Sequence, residues 1–311
     1  MSSFSNNAGV YGQTGFLAFC KRNYGFMFIL LWFVGFLIFR LYPFASSLYY
    51  SFTDFNLLRH MTSTHNAVGF DNYAFVFTDD IPLRSLGITF MYSFVTVPLK
   101  LIVSLFVAYI LNYKLKGVNL FRTAYYIPSI LGGSIAIAVL WKAMFSNEGV
   151  INTIMGAVGL APYNWLGESD TAVFIISALR IWQFGSAMVL FLAALKGVSL
   201  DLYEAATIDG ASKVRQFFSI TVPLITPIIF YNLITQVVQA FQEFNGPFII
   251  TNGGPDGATT LIALLIYNNA FRQYDMGMAS AMAWVLFLIV AILSIVAFVS
   301  QKKWVYYDDV K

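Results

Sequence analysis

The sequence predicts an all-α integral membrane protein with about six transmembrane helices, because apolar residues are in surplus, fall in blocks of spanning length, and leave Lys and Arg unevenly shared between the connecting segments. Of 311 residues, 59% are hydrophobic and 11% charged, whereas a soluble chain is roughly 25% charged. A water-soluble core cannot absorb that surplus. The bilayer takes the place of the interior, and each span must satisfy its backbone polar groups as a helix. The net charge of +3 matters less than where the cations fall, and no nucleic-acid partner is expected. Cys20, the one cysteine, cannot close an intrachain disulfide and reads as a bystander. The polar segment before it lacks an apolar run of its own. The run that follows is too long for a cleavable signal, so it should stay as the first helix.

The first span is expected from Tyr24 to Phe44, with Arg40 snorkelling near its far end. A polar loop from Ser47 to Arg84 follows, folded or lying on the surface, with Asp79 and Asp80 near its end. The second span covers Leu86 to Asn112, interrupted by Pro98 and Lys100. A basic link leads to the third, Thr123 to Phe145, which Pro128 and Gly132-Gly133 should loosen. Between Ser146 and Asp170, Val150, Ile151, Ile154, Met155 and Val158 recur at helical spacing, as on a helix lying in the membrane surface with Asn164-Trp165 at the interface. The fourth span runs from Thr171 to Leu195, the fifth from Phe218 to Thr251, and the sixth from Met276 to Ser300.

Both termini then share one side. With that side cytoplasmic, its segments hold Lys21, Arg22, Lys114, Lys116, Arg122, Lys196, Lys213, Arg215, Lys302, Lys303 and Lys311, against Arg59, Arg84 and Arg272 opposite. The positive-inside rule sets this orientation. The expected organisation is a tail over 1–23, a six-helix membrane domain over 24–303 and a second tail over 304–311.

The link from Ser199 to Pro223 is too polar and too rich in helix signals for a mere connector. Asp201 is placed to cap a short helix with Glu204 as its capping-box partner, and Gly210 to end it. Ser212 can cap a second, with Pro223 and Pro227 at the entry to the fifth span. Such a helix either docks in a groove on a partner or lies on the protein's own helices.

Glu204-Ala205-Ala206, then Gly210, Ile220 and Pro223, resemble in residue and spacing the "EAA" loop of permease subunits in binding-protein-dependent ATP-binding-cassette importers. Asp209-Gly210-Ala211 and Gln216-Phe217-Phe218 resemble it too; Val222 departs from the usual leucine. Gly69-Phe70-Asp71-Asn72-Tyr73, Thr251-Asn252-Gly253-Gly254-Pro255 and Tyr267 through Ala281 are similar to the carbohydrate branch, the maltose-type and glycerol-phosphate-type permeases. The resemblance implies a coupling loop over 199–217 in which Leu202, Tyr203, Glu204, Ala205, Ala206, Asp209, Gly210, Ala211 and Pro223 serve an ATPase. It implies a prokaryotic cytoplasmic membrane, a second homologous permease, an ATP-binding-cassette ATPase dimer and an extracytoplasmic solute-binding protein. The chain has no Gly-x-x-x-x-Gly-Lys-Ser/Thr loop, so no cofactor is expected in it, and ATP and Mg belong to the partner ATPase.

In the fifth span Asn232, Gln236, Gln239 and Glu243 share a helical stripe, with Asn245, Phe241 and Phe244 close by. Amides, a carboxylate and aromatic rings suit a sugar, although a polar seam with the second permease has the same residues. Arg180 with Gln183, and Trp284, are further candidates for the path, Arg180 also as an ion-pair partner of Glu243. His60 and His65 lack clustered ligands, so no metal is expected. Gly253-Gly254-Pro255 could meet the binding protein or be a plain turn. The alternative, an ion-coupled secondary transporter, wants midplane carboxylates, and only Glu243 fits. Channel-filter and membrane-enzyme motifs do not occur.

Overall fold

The computed structural model describes residues 24–59, 65–113, 116–131 and 135–307. Expectations on Cys20, Lys21, Arg22, His60, Lys114, Gly132, Gly133, Lys311, the tail 1–23 and residues 308–311 lie outside the described residues. Among those described, the regular elements are helices, with isolated β-bridges pairing Thr53 with Ala67 and Asn56 with Asp275.

Two compact units make up the chain, Met1–Tyr50 and Ser51–Lys311. In the first, α1 (Tyr24–Phe36) passes through a π-helical turn at Leu37–Leu41 into α2 (Tyr42–Tyr50). Ile29–Tyr50 is long and apolar enough to span. The span expected to end near Phe44 thus continues to Tyr50. Ser47 explains it, since its Oγ donates to the Phe44 carbonyl at 2.8 Å and so satisfies itself within the helix.

In the second unit, Asn72 on α3 (Asp71–Thr78) donates from Nδ2 to the carbonyls of Ser51 and Thr53 at 3.0 and 2.9 Å, so the first loop is folded. Asp79 caps α4 (Asp80–Leu111), its Oδ1 accepting from Ile81 N–H at 3.0 Å. The second span therefore begins before Leu86, and its helix is unbroken at Pro98 and Lys100. The expected third span is two helices, α5 (Val118–Leu131) and α6 (Ile135–Met144). Next, α7 (Val150–Ala157) exposes Val150 and Ile154 and buries Asn152, whose Oδ1 accepts from Tyr163 N–H and from Trp165 Nε1. The Tyr163 hydroxyl donates to Glu168, which raises the pKa of the phenol.

The fourth span is bent by 41° between α8 (Ser169–Trp182) and α9 (Gly185–Gly197). Gly185 sits at that bend because a Cβ there would overlap the Tyr125 carbonyl of α5. After the link come α10 (Leu200–Ile208), α11 (Lys213–Gln216), a π-helical turn at Phe217–Thr221, and α12 (Val222–Leu224). A 68° bend leads into α13 (Thr226–Phe241). The fifth span does not run to Thr251 as one helix. It stops at Phe241, is interrupted over 242–244, and resumes into a π-helical turn at Pro247–Thr251; Gly246 is itself helical at φ −59° and ψ −61°, and Pro247 falls in the first turn of the resumed helix, where its missing N–H costs no bond. Then follow α14 (Ile262–Tyr267), a π-helical turn at Asn268–Arg272, and α15 (Met276–Ser300), the sixth span at its expected bounds, which Asp275 caps by accepting from Met278 N–H at 2.9 Å.

By length and apolarity, Ile29–Tyr50, Asp80–Leu111 and Met276–Lys303 can each cross a membrane, and counting each bent pair as one span raises the number to six. Within the second unit α4 is the axis. Its Leu86 packs with Phe241, Ile262 and Met282, its Tyr92 and Val97 with Ile176, Leu179 and Ala240, and its Ala108 with Met188 and Phe191.

Candidate functional site: a polar seam and a projecting helix

Helix α4 is apolar outside and polar inside. Met91, Phe94, Val95, Leu99, Ile102 and Phe106 are exposed, whereas Ser85, Thr89, Ser93, Thr96, Lys100 and Ser104 are buried. The buried set recurs every three or four residues, which places it on one face. Its ends have structural partners. Thr89 Oγ1 accepts from Ile262 N–H at 2.9 Å and so caps α14, and Ser104 Oγ lies 2.6 Å from the Lys100 carbonyl of its own helix and 3.2 Å from the Phe184 carbonyl, which also accepts from Met188 N–H at 3.0 Å. Its middle does not: the hydroxyls of Tyr92, Ser93 and Thr96 are buried with no hydrogen-bond partner among the described residues.

Opposite this middle stretch lie Arg180 and the end of α13. Arg180 Nη2 donates to Gln239 Oε1 at 2.7 Å, and Nη1 stands 3.6 Å from Glu243 Oε2. The ion pair expected from the sequence is therefore present. Glu243 Oε1 accepts from Gly246 N–H at 3.1 Å, which holds the carboxylate at the break. Tyr92, Arg180, Gln183, Glu243, Asn245 and Gly246 line one small cavity.

The other expected residues divide. Asn232 is buried and donates to the Ile228 carbonyl of its own helix, while Gln236 is buried with Oε1 unsatisfied. The stripe of four is broken, because α13 ends before Glu243. Phe241 is not a platform for a solute: it is 1% exposed and edge-on to Phe90 at 5.0 Å. Phe244 stacks on Phe248. Trp284 packs against Phe287 on α15 and does not line the cavity. Tyr92, Ser93 and Thr96 are not among the residues singled out from the sequence, in which Lys100 reads only as an interruption of the second span. Their three-and-four recurrence was the signal that could have found them. At Gly253-Gly254-Pro255 the chain makes a turn with a cis Gly254–Pro255 bond, closed by Thr259 Oγ1 donating to the Gly254 carbonyl at 2.7 Å.

The second feature is α10, none of whose residues is buried. Ser199, rather than Asp201, caps it, its Oγ accepting from Asp201 N–H at 3.3 Å, so the expected box with Glu204 is not formed. A shorter hydroxyl two residues earlier is the better placed acceptor. At the other end Ala211 N–H bonds the Ala206 carbonyl at 2.9 Å and Gly210 N–H the Thr207 carbonyl at 3.1 Å, with Gly210 at φ +77°. This is a Schellman ending, whose left-handed residue is best glycine. Tyr203 and Thr221 share a hydroxyl bond at 2.7 Å, and Gln216 Nε2 donates to Thr207 Oγ1 at 2.9 Å. Leu200, Leu202 and Ile208 stay exposed. Ser212 caps α11, accepting from Arg215 N–H at 3.3 Å.

Apolar spanning helices around a buried polar seam, with a rigid polar link held outside them, define a polytopic membrane component of a transport system. The chain belongs to the family of binding-protein-dependent transport system inner membrane components, whose pattern matches residues 83–304. The probable ABC transporter permease protein YesP of Bacillus subtilis (strain 168) is 41% identical over 289 residues, covering 92% of each chain. The multiple sugar-binding transport system permease protein MsmF of Streptococcus mutans is 30% identical over 91% of this chain and 97% of its own. A crystal structure of a bacterial alginate ABC transporter, in complex with alginate pentasaccharide-bound periplasmic protein, contains a chain that superposes with a TM-score of 0.75. It covers 93% of this chain and 97% of that one at 21% identity, a likeness of fold. Members of this family are permeases rather than enzymes, and ATP is hydrolysed on separate subunits.

Proposed function

We propose that this chain, with a second permease subunit, forms the translocation path for a carbohydrate delivered by an extracytoplasmic solute-binding protein, driven by a cytoplasmic ATPase dimer. The observation that carries the coupling is α10, capped at both ends, tied to the following helix by Tyr203–Thr221 and Gln216–Thr207, and presenting Leu200, Leu202 and Ile208 outward. A helix built to stay rigid while exposing apolar side chains suits a groove on a partner. In this reading 199–217 is the coupling loop, Glu204 faces basic groups of the ATPase, and Pro223 fixes the entry to the membrane. ATP and Mg sit on that partner.

The distribution of Lys and Arg supports cytoplasmic termini and a cytoplasmic α10, with 1–23 and 304–311 as tails flanking the membrane domain 24–303. The sugar reading is supported by the sugar transport of the relative MsmF and by the polar side chains of Tyr92, Gln183, Glu243 and Asn245 at the cavity, with Gln236 and Gln239 on α13, which offer donors and acceptors to hydroxyls. The alternative, ion-coupled secondary transport, has less support, because Glu243 is tied by Arg180 and Gly246. Affinity purification from native membranes tests the proposal. An ATP-binding-cassette ATPase should co-purify with wild type and be lost with Glu204→Lys. A stable complex in the variant would sink the role of α10.

A further inference from the structure

Resting on the importer reading, we infer that the carried solute is an anionic carbohydrate, and that Lys100, with Arg180, is the cationic group that selects it. Lys100 is 3% exposed in the middle of α4, on the same face as the unsatisfied Ser93 and Thr96. It lies roughly 16 Å along the axis from Leu111, too far for its stem to snorkel to the helix end. Among the described residues, the charged groups near enough to interact with it are Arg180 and Glu243. Glu243 is already engaged by Arg180 and by Gly246 N–H. The seam thus holds two cations against one carboxylate, and the excess cation is the buried one.

An ionisable group inside the membrane without a dedicated counter-charge is costly and marks a path for ions or substrates. Here the counter-charge is the solute's. A carboxylate or phosphate at Lys100 would complete the charge balance. The sugar hydroxyls would then meet Tyr92, Ser93, Thr96 and Gln236 Oε1, buried polar atoms that have no partner among the described residues. A neutral sugar would satisfy the hydroxyls and leave the cation unmatched. Such a site rejects the uncharged analogue, because the loss falls on a desolvated charge.

The test is ATP-dependent uptake by the complete transporter, reconstituted in vesicles with its own binding protein. Two matched pairs serve as probes: digalacturonate against its dimethyl ester, and glucose 6-phosphate against glucose. At least one anion should be taken up about tenfold or more faster than its neutral partner, and the pair that responds tells carboxylate from phosphate. Lys100→Gln should lower the maximal rate for that anion about tenfold and narrow the anion-to-neutral ratio, while solute affinity of the isolated binding protein is unchanged. A merely structural lysine would lower both members of the pair alike, and that result overturns the inference. So does wild-type preference for the neutral member of both pairs, which leaves the importer reading standing. If neither pair shows any ATP-dependent uptake, this inference is overturned, and the importer reading is decided separately by whether the ATPase co-purifies.

Discussion

Arg180 shows how single residues divide the work of the seam. Its guanidinium reaches Gln239 and Glu243 together, joining the bend of the fourth span to the break in the fifth. Arg180→Gln should leave the partly buried Glu243 without its cation and lower stability by about 1–2 kcal/mol. Thermal unfolding of the purified complex should show this, and Arg180→Gln with Glu243→Gln should recover much of the loss; equal losses in both would deny the pairing. Thr89 has a different task, accepting from the first N–H of α14, so Thr89→Val should cost about 1–3 kcal/mol in the same assay by leaving that donor unsatisfied. Arg180 and Glu243 were legible as partners in the sequence because charges in apolar runs stand out. The hydroxyls on α4 did not stand out, and Lys100 read as an interruption, because Ser and Thr scarcely change the mean hydropathy of a span. Only their recurrence identifies the inward face.

Among elements, α10 and the α5–α9 contact make the clearest demands on sequence. Gly210 at φ +77° has nothing near its missing Cβ, so Gly210→Ala should cost only the left-handed conformation, about 1–2 kcal/mol, and leave the protein in the membrane. Gly185 is the opposite case. Its backbone conformation is ordinary, but the Tyr125 carbonyl fills the space of a side chain, so Gly185→Leu should separate α5 from α9 and lower the yield of folded protein in size-exclusion chromatography. An unchanged elution profile would contradict that packing. The sixth span was legible to its ends because an unbroken apolar run follows the capping Asp275. The fifth was not, since hydropathy averages across 242–244, where the helix is interrupted before it resumes ahead of Pro247. The cap of α10 was misplaced for a related reason: Ser199 and Asp201 are both good capping residues, and the backbone direction of the preceding segment decides between them.

At the scale of the whole molecule, the helices of the second unit pack along α4 around a polar seam, and the 199–217 link, the coupling loop of the proposed function, is not part of that seam's lining. Import then requires that events at α10 alter the contacts along α4, α8 and α13. The covalent route is short, since α10 leads through α11 and α12 into the 68° bend before α13, which carries Gln236 and Gln239 and precedes Glu243. The measurement that tests this most directly is solute-dependent ATP hydrolysis by the reconstituted complex, comparing wild type with Gly210→Pro. The account predicts that solute-loaded binding protein stimulates hydrolysis in wild type and fails to do so in the variant, although the variant chain remains in the membrane. Equal stimulation in both, or uptake that follows an ion gradient without an ATPase, would contradict it.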